Sequence, residues 1–245
     1  MAPEPEPRLL PNRYAGQGVP PAQRSHCPCF RATSGVEHLF HRDPPHASER
    51  AWNIVCDIID EVKRSGAIAL DLGRRMDRAD YMALNTLPDS IGGLSDLQTL
   101  ITYGSNLSYL PRALGDCVNL RVFEPYTSYR LHWLPFEITR CRNLAHTVIS
   151  TRALYGNYKN RPSFPALKHQ RWTWPAGGMA CSICGTVTHG VQQFWTSQRV
   201  ATDVVPLLVS VCSETCRQRI GPGASGHVEQ PHRGGLSLVQ PPRRS

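Results

Sequence analysis

The sequence predicts an α/β repeat fold: a short solenoid of parallel strands behind an N-terminal capping helix, followed by a small β-hairpin and helix module. Three observations predict it. Leu-Pro dipeptides recur at 87–88, 110–111 and 134–135, at steps of 23 and then 24 residues. A strongly amphipathic segment, 48–65, precedes them. Two cysteine pairs, Cys181 with Cys184 and Cys212 with Cys216, bracket a strand-rich stretch downstream.

The repeat rests on more than the Leu-Pro pairs. Ile91, Leu114 and Ile138 form one column, and Leu94, Cys117 and Cys141 another. Leu97, Leu120 and Leu144 form a third, and Leu100 with Phe123 a fourth. Phe164-Pro165 is a degenerate further occurrence after a step of 30. Such a period describes a chain that turns once per unit and lays a short strand beside the previous one. One turn cannot bury its own apolar side, whereas stacked turns share a continuous interior. Proline after the recurring leucine suits a segment leaving regular strand pairing. In the segment before the repeats, Trp52, Val55, Ile58, Ile59 and Val62 recur at helical spacing, and Gly66 supplies a stop. This helix is expected to cover the open end of the stack, and Ala67–Leu72 alternates as a first strand.

The stretch from Leu84 to Leu100, with Leu87-Pro88, Ile91, Leu94, Leu97 and Leu100 in phase, resembles the leucine-rich repeats of short bacterial and plant intracellular proteins. The resemblance extends over roughly residues 66–167. Thr102 and Pro125 stand where the strand usually has a second leucine, Ser105 replaces the usual strand-end asparagine, and 75–83 reads as an insertion. A solenoid of this kind presents the strand side chains between its buried leucines on a concave face. The register assigns Asp71, Arg74, Gln98, Ile101, Tyr103, Arg121, Glu124, His146 and Val148 to it as partner-binding residues. Tyr103 and Arg121 are the foremost anchors, because Tyr and Arg are enriched in interface hot spots.

The cysteine pairs read as C-x2-C, 27 intervening residues, then C-x3-C. Four soft ligands at such spacing suit tetrahedral Zn2+. Gly185 lets the first pair turn tightly, and Ser213 can cap a helix carrying the second. Between them, 192–198 and 204–211 read as the strands of a hairpin. Knuckle, hairpin and helix-borne pair together resemble a treble-clef zinc finger over about 178–220. Free core cysteines or a disulfide are the alternatives, and His189 is a competing ligand. A closed four-sulfur site leaves no position for a water, so its expected role is structural. His26, Cys27, Cys29, His38 and His41 form a looser cluster with poor zinc spacing. Cys56, Cys117 and Cys141 read as buried hydrophobes.

Four regions follow: 1–47, a disordered Pro/Arg/His-rich region; 48–170, the repeats with their cap; 171–220, the zinc module; and 221–245, a disordered tail. Trp172 and Trp174, at the junction, are expected to pack over the last repeat. The net charge of +8 is spread thinly, from six Lys/Arg against five Asp/Glu in 1–50 to three against one in 221–245. There is no basic stripe of the kind that tracks nucleic acid. No run approaches the roughly 18 apolar residues of a membrane span, and no apolar signal core opens the chain, so a cytoplasmic protein is expected. Phosphate-binding glycine loops, H-E-x-x-H and G-x-S-x-G are missing from the sequence, and no enzyme activity is expected. The reading is a protein–protein adaptor with structural zinc. The alternative is a nucleic-acid-associated protein, in which Arg171, Arg199, Arg217 and Arg219 would share one face.

Overall fold

The computed structural model of the protein describes residues 43–167 and 177–242. The N-terminal His/Cys cluster, Arg171 and the tryptophans at 172 and 174 lie outside them. The first element is helix α1 (Glu49–Ser65), capped by Ser48, whose hydroxyl accepts from the Ala51 amide at 3.3 Å. Gly66 ends it in the left-handed region, at φ 64°, where a side chain would be strained. Its apolar stripe, with Ala51, Val55, Ile58, Ile59 and Val62, is buried. Four short strands follow: β1 (Ala69–Asp71), β2 (Thr99–Ile101), β3 (Val122–Glu124) and, later in the chain, His146–Thr147. They form one parallel sheet in chain order, in which Leu70 faces Leu100, Leu100 faces Phe123, and Phe123 faces Thr147. Two short helices, α2 (Leu72–Arg75) and α3 (Arg78–Met82), fill the stretch read as an insertion. The protein is thus a mixed α/β structure with a parallel sheet and few helices.

Each of the last three strands of this sheet is preceded by a 3-10 turn that begins just after the recurring proline: Asp89–Gly93, Arg112–Asp116 and Phe136–Arg140. Consecutive turns lie so close that glycine is required between them. A Cβ on Gly92 would sit 2.6 Å from the Ala113 carbonyl oxygen, and one on Gly115 would overlap the Glu137 carbonyl. The equivalent residue of the last turn is Thr139, whose hydroxyl bonds the Phe136 carbonyl at 2.8 Å. This glycine column was not singled out from the sequence, although it follows each of Ile91 and Leu114 directly. Gly115→Ala is expected to destabilise the chain by about 1–3 kcal/mol, the usual cost of overpacking. Chemical denaturation of the single variant is the check.

Downstream, the strands β8 (Gln192–Val200) and β9 (Asp203–Val211) form the antiparallel hairpin. They do not stand apart as a separate module. A two-residue strand between the second and third 3-10 turns, β4 (Leu134–Pro135), pairs parallel with β9 through Leu134 and Leu207. Val200, Val205 and Leu207 belong to the same core cluster as the column leucines. With β5 (His146–Thr147) as the last strand of the parallel sheet, the row Leu70, Leu100, Phe123 ends in a threonine. The buried Thr147 hydroxyl lies 2.8 Å from Asp203 Oδ2 and 3.1 Å from Thr202 Oγ1, at the hairpin's tip. The tip therefore covers the C-terminal end of the sheet and satisfies the polar group that replaces a core hydrophobe.

A second core centres on Trp195, which is fully buried among Trp133, Tyr155 and Phe164 and donates to the Pro165 carbonyl at 2.9 Å. The chain after 221, expected to be a disordered tail, is ordered against this core through residue 242. His232 and Trp195 exchange backbone hydrogen bonds of 2.7 and 3.0 Å, and Leu167 donates to the Arg233 carbonyl. Gly234, at φ 68°, passes so close to the Pro165 carbonyl that a Cβ would overlap it. This docking runs largely through backbone, which leaves no apolar period to read in the sequence. Residues 43–47, also assigned to a disordered region, pack likewise: Pro45 accepts from Asn85 and Thr86, and Asp43 pairs with Arg130 at 2.7 Å.

Burial holds His232 at a pKa of about 4, below its usual value. The folded state thus resists a proton that the unfolded chain accepts near pH 6.5. Stability is expected to fall as pH drops from about 6.5 to about 4, by up to about 1.4 kcal/mol per unit. His232→Asn should flatten that slope in denaturation series run across this window. No helix among the described residues is long and apolar enough to cross a membrane.

Candidate functional site

The four cysteines meet at one end of the hairpin. The first pair sits on a knuckle between β6 (Met179–Ala180) and β7 (Val187–Thr188), closed by the Cys181 amide donating to Thr186 and the Gly185 amide to Cys181. Gly185 has φ 78°, which allows the turn. Cys212 follows β9 directly, and Cys216 lies on α4 (Glu214–Gln218), where its amide donates to the capping hydroxyl of Ser213 at 3.2 Å. Phe194, Val209, Val211 and Ile220 pack behind the cluster.

All four sulfurs lie within 4.8 Å of one another and could hold a metal ion. Cys184 and Cys212 are 3.6 Å apart, and Cys212 and Cys216 are 3.8 Å apart. A tetrahedron of sulfurs about 2.3 Å from a central ion has edges of roughly 3.8 Å, whereas a disulfide needs about 2.05 Å. The spacing fits ligation and not covalent pairing. The surroundings favour thiolate at the first pair. The Thr186 hydroxyl and amide lower Cys184 to a pKa of about 6. Burial works against the Cys181 thiolate, yet the amides of Cys184, Ile183 and Cys212 outweigh it and lower its pKa. Cys212 is pushed up to about 12, first by its hydrogen bond with Cys184. His189 is not part of this group.

The remaining described cysteines are unlike these. Cys117 and Cys141 are buried and donate to the carbonyls of Ile91 and Leu114. Burial raises them to about 12 and about 11. Burial, with Asp60 and Asp57, also raises half-buried Cys56. None is poised as a nucleophile.

The sheet face places the other sequence candidates. Asp71, Ile101 and Glu124 are in register as one row, and Val148 follows just beyond β5. His146 belongs to a second row with Thr99 and Val122. Gln98 and Arg121 each lie one residue before their strands, at the entry to the sheet. Thr99 and Val122, which share the row of His146, were not among the residues assigned to this face. Arg74 is on α2 and pairs with Asp71 at 3.3 Å. Tyr103 has a companion, Tyr126, one period later, with ring centroids 6.0 Å apart. Tyr126 is among the exposed large hydrophobic residues and was likewise missed.

No model of a known protein family matches the chain, and no curated protein matches it.

The cysteine knuckle is tied directly to the stacked turns. Arg112, on the second 3-10 turn, donates through Nε and Nη2 to one carboxylate oxygen of buried Glu137, at 2.9 and 2.6 Å. The same Nη2 donates to the Ala180 carbonyl at 2.6 Å and reaches the Ser182 hydroxyl at 3.3 Å. Ser182 lies inside the first cysteine pair, and its hydroxyl accepts from the Ser210 amide of β9. One guanidinium thus ties two stacked turns to the knuckle.

Proposed function

We propose that the protein is a non-catalytic adaptor of the leucine-rich-repeat kind, binding a protein partner through the open face of its parallel sheet. Structural Zn2+ in the four-cysteine site would hold its C-terminal end. The observation that carries this reading is the face itself: in-register rows that mix Asp71, Glu124 and His146 with Ile101 and Val122, flanked by the Tyr103–Tyr126 pair. Mixed aromatic, apolar and charged groups are what protein interfaces use. The column leucines, buried in one core in a period of 23 to 24, support the repeat assignment. Four cysteine sulfurs at tetrahedral spacing, with no histidine or carboxylate among them, favour zinc over harder cations.

The test uses the full chain as bait. Tyr103→Ala and Tyr126→Ala together should weaken retention of a captured protein by about 10-fold or more, since interface anchors contribute above about 1 kcal/mol each. Circular dichroism should show the fold unchanged. Capture that survives both substitutions, or that vanishes on nuclease treatment, overturns the adaptor reading. Metal analysis should return close to one zinc per chain, and a value near zero removes the zinc.

A further inference from the structure

We propose that a cavity on the other side of the stack, away from the sheet face, binds a small, uncharged, planar aromatic molecule bearing an N–H or O–H donor. The cavity, of about 370 Å³, lies between α1, the Leu-Pro ledges of the stacked turns and the hairpin. Its size falls at the lower end of ordinary small-molecule pockets, roughly 300–1,000 Å³. Three aromatic side chains border it, Trp52, Tyr109 and Trp133, each from a different part of the chain. Pro111 and Pro135 add flat apolar surface. Faces of this kind are complementary to a ring.

Two polar groups decide that the site is not merely greasy. Thr86 is 5% exposed and Gln193 is 8% exposed, and both line this cavity. The buried Thr86 Oγ1 and Gln193 Oε1 have no hydrogen-bond partner. Gln193 spends its amide nitrogen on the Ser210 hydroxyl at 3.1 Å, which leaves the oxygen, an acceptor only. Buried polar groups are almost always satisfied, so two at one cavity point to something that satisfies them. The acceptor of Gln193 demands a donor, and the Thr86 hydroxyl tolerates either role. Of the two charged residues bordering the cavity, Arg112 is paired with Glu137 and Asp89 is solvent-exposed at the rim, so the buried part of the site carries no unpaired charge and suits an uncharged ligand.

The experiment titrates the metal-loaded full chain with N-phenyl-1-naphthylamine, an uncharged aromatic amine that fluoresces in apolar surroundings. Saturable binding of one probe per chain is expected. Indole should displace it about 10-fold better than 1-methylindole, which lacks the N–H, because one hydrogen bond in a dry site is worth about that factor. Gln193→Met should erase the difference between the two indoles. Thr86→Val, which keeps the side chain's shape, should weaken probe binding several-fold without lowering the melting temperature. Non-saturable fluorescence, or equal competition by both indoles in the unaltered chain, overturns the proposal. The latter would mean that the cavity holds solvent or takes any apolar molecule.

Discussion

Chelating the metal is expected to lower the melting temperature of the whole chain, in one transition, with full recovery on adding back Zn2+. The reason is the path of β9. Its C-terminal part, Val209 and Val211, packs behind the cysteines, while Val205 and Leu207 of the same strand sit in the core of the stacked turns. Loosening the site therefore frees a strand that both cores share, and Thr147 loses its partners at the hairpin tip. Structural zinc contributes about 10–16 kcal/mol of apparent binding energy in small fingers. Even a loss of about 4 kcal/mol would move the midpoint of a chain this size by roughly 8–16 °C. Cys181→Ser, at the fully buried ligand, should match the effect of chelation, while Cys117→Ala should not touch metal content. Calorimetry with and without chelator is the check. An unchanged midpoint, or two separate transitions of which only the smaller moves, would refute the shared-strand account.

Much of this architecture could be read from residue spacing, because the forces behind it are periodic or local. The 23-residue columns gave the pairing of Leu100 with Phe123, since a buried side chain must recur wherever a turn does. Ser48 and Gly66 bound α1 through local backbone chemistry. The cysteine spacing located the four-cysteine cluster for the same reason. The unread parts depend on partners far apart in the chain. Trp195 gathers Trp133, Tyr155 and Phe164, none of them in a common period. The segment after 221 docks through backbone groups at His232 and Arg233, which every sequence possesses. Thr147 occupies the position that Leu100 and Phe123 hold in their strands, and only the hairpin tip explains a hydroxyl there.

Arg112→Ala is expected to cost about 3–5 kcal/mol, the penalty for leaving a buried charge without its partner. Glu137 has 2% of its side chain exposed, and its second oxygen, Oε2, has no hydrogen-bond partner either, so nothing else on it can absorb the loss. Arg112→Lys should recover only part, because a point charge cannot donate from two nitrogens to one oxygen and also reach Ala180. Replacing both residues with leucine removes the stranded carboxylate and should restore much of the stability. A double-mutant cycle separates these contributions. The guanidinium also holds the knuckle through Ala180 and Ser182, and that role has a separate readout. The leucine pair should still release zinc to a competing chelator faster than its restored stability alone would suggest, since neither leucine can bond the knuckle. Should the alanine variant cost under about 1 kcal/mol while zinc release stays unchanged, the pair would behave as a surface salt bridge, and the coupling between the stacked turns and the metal centre would have to run through β9 alone.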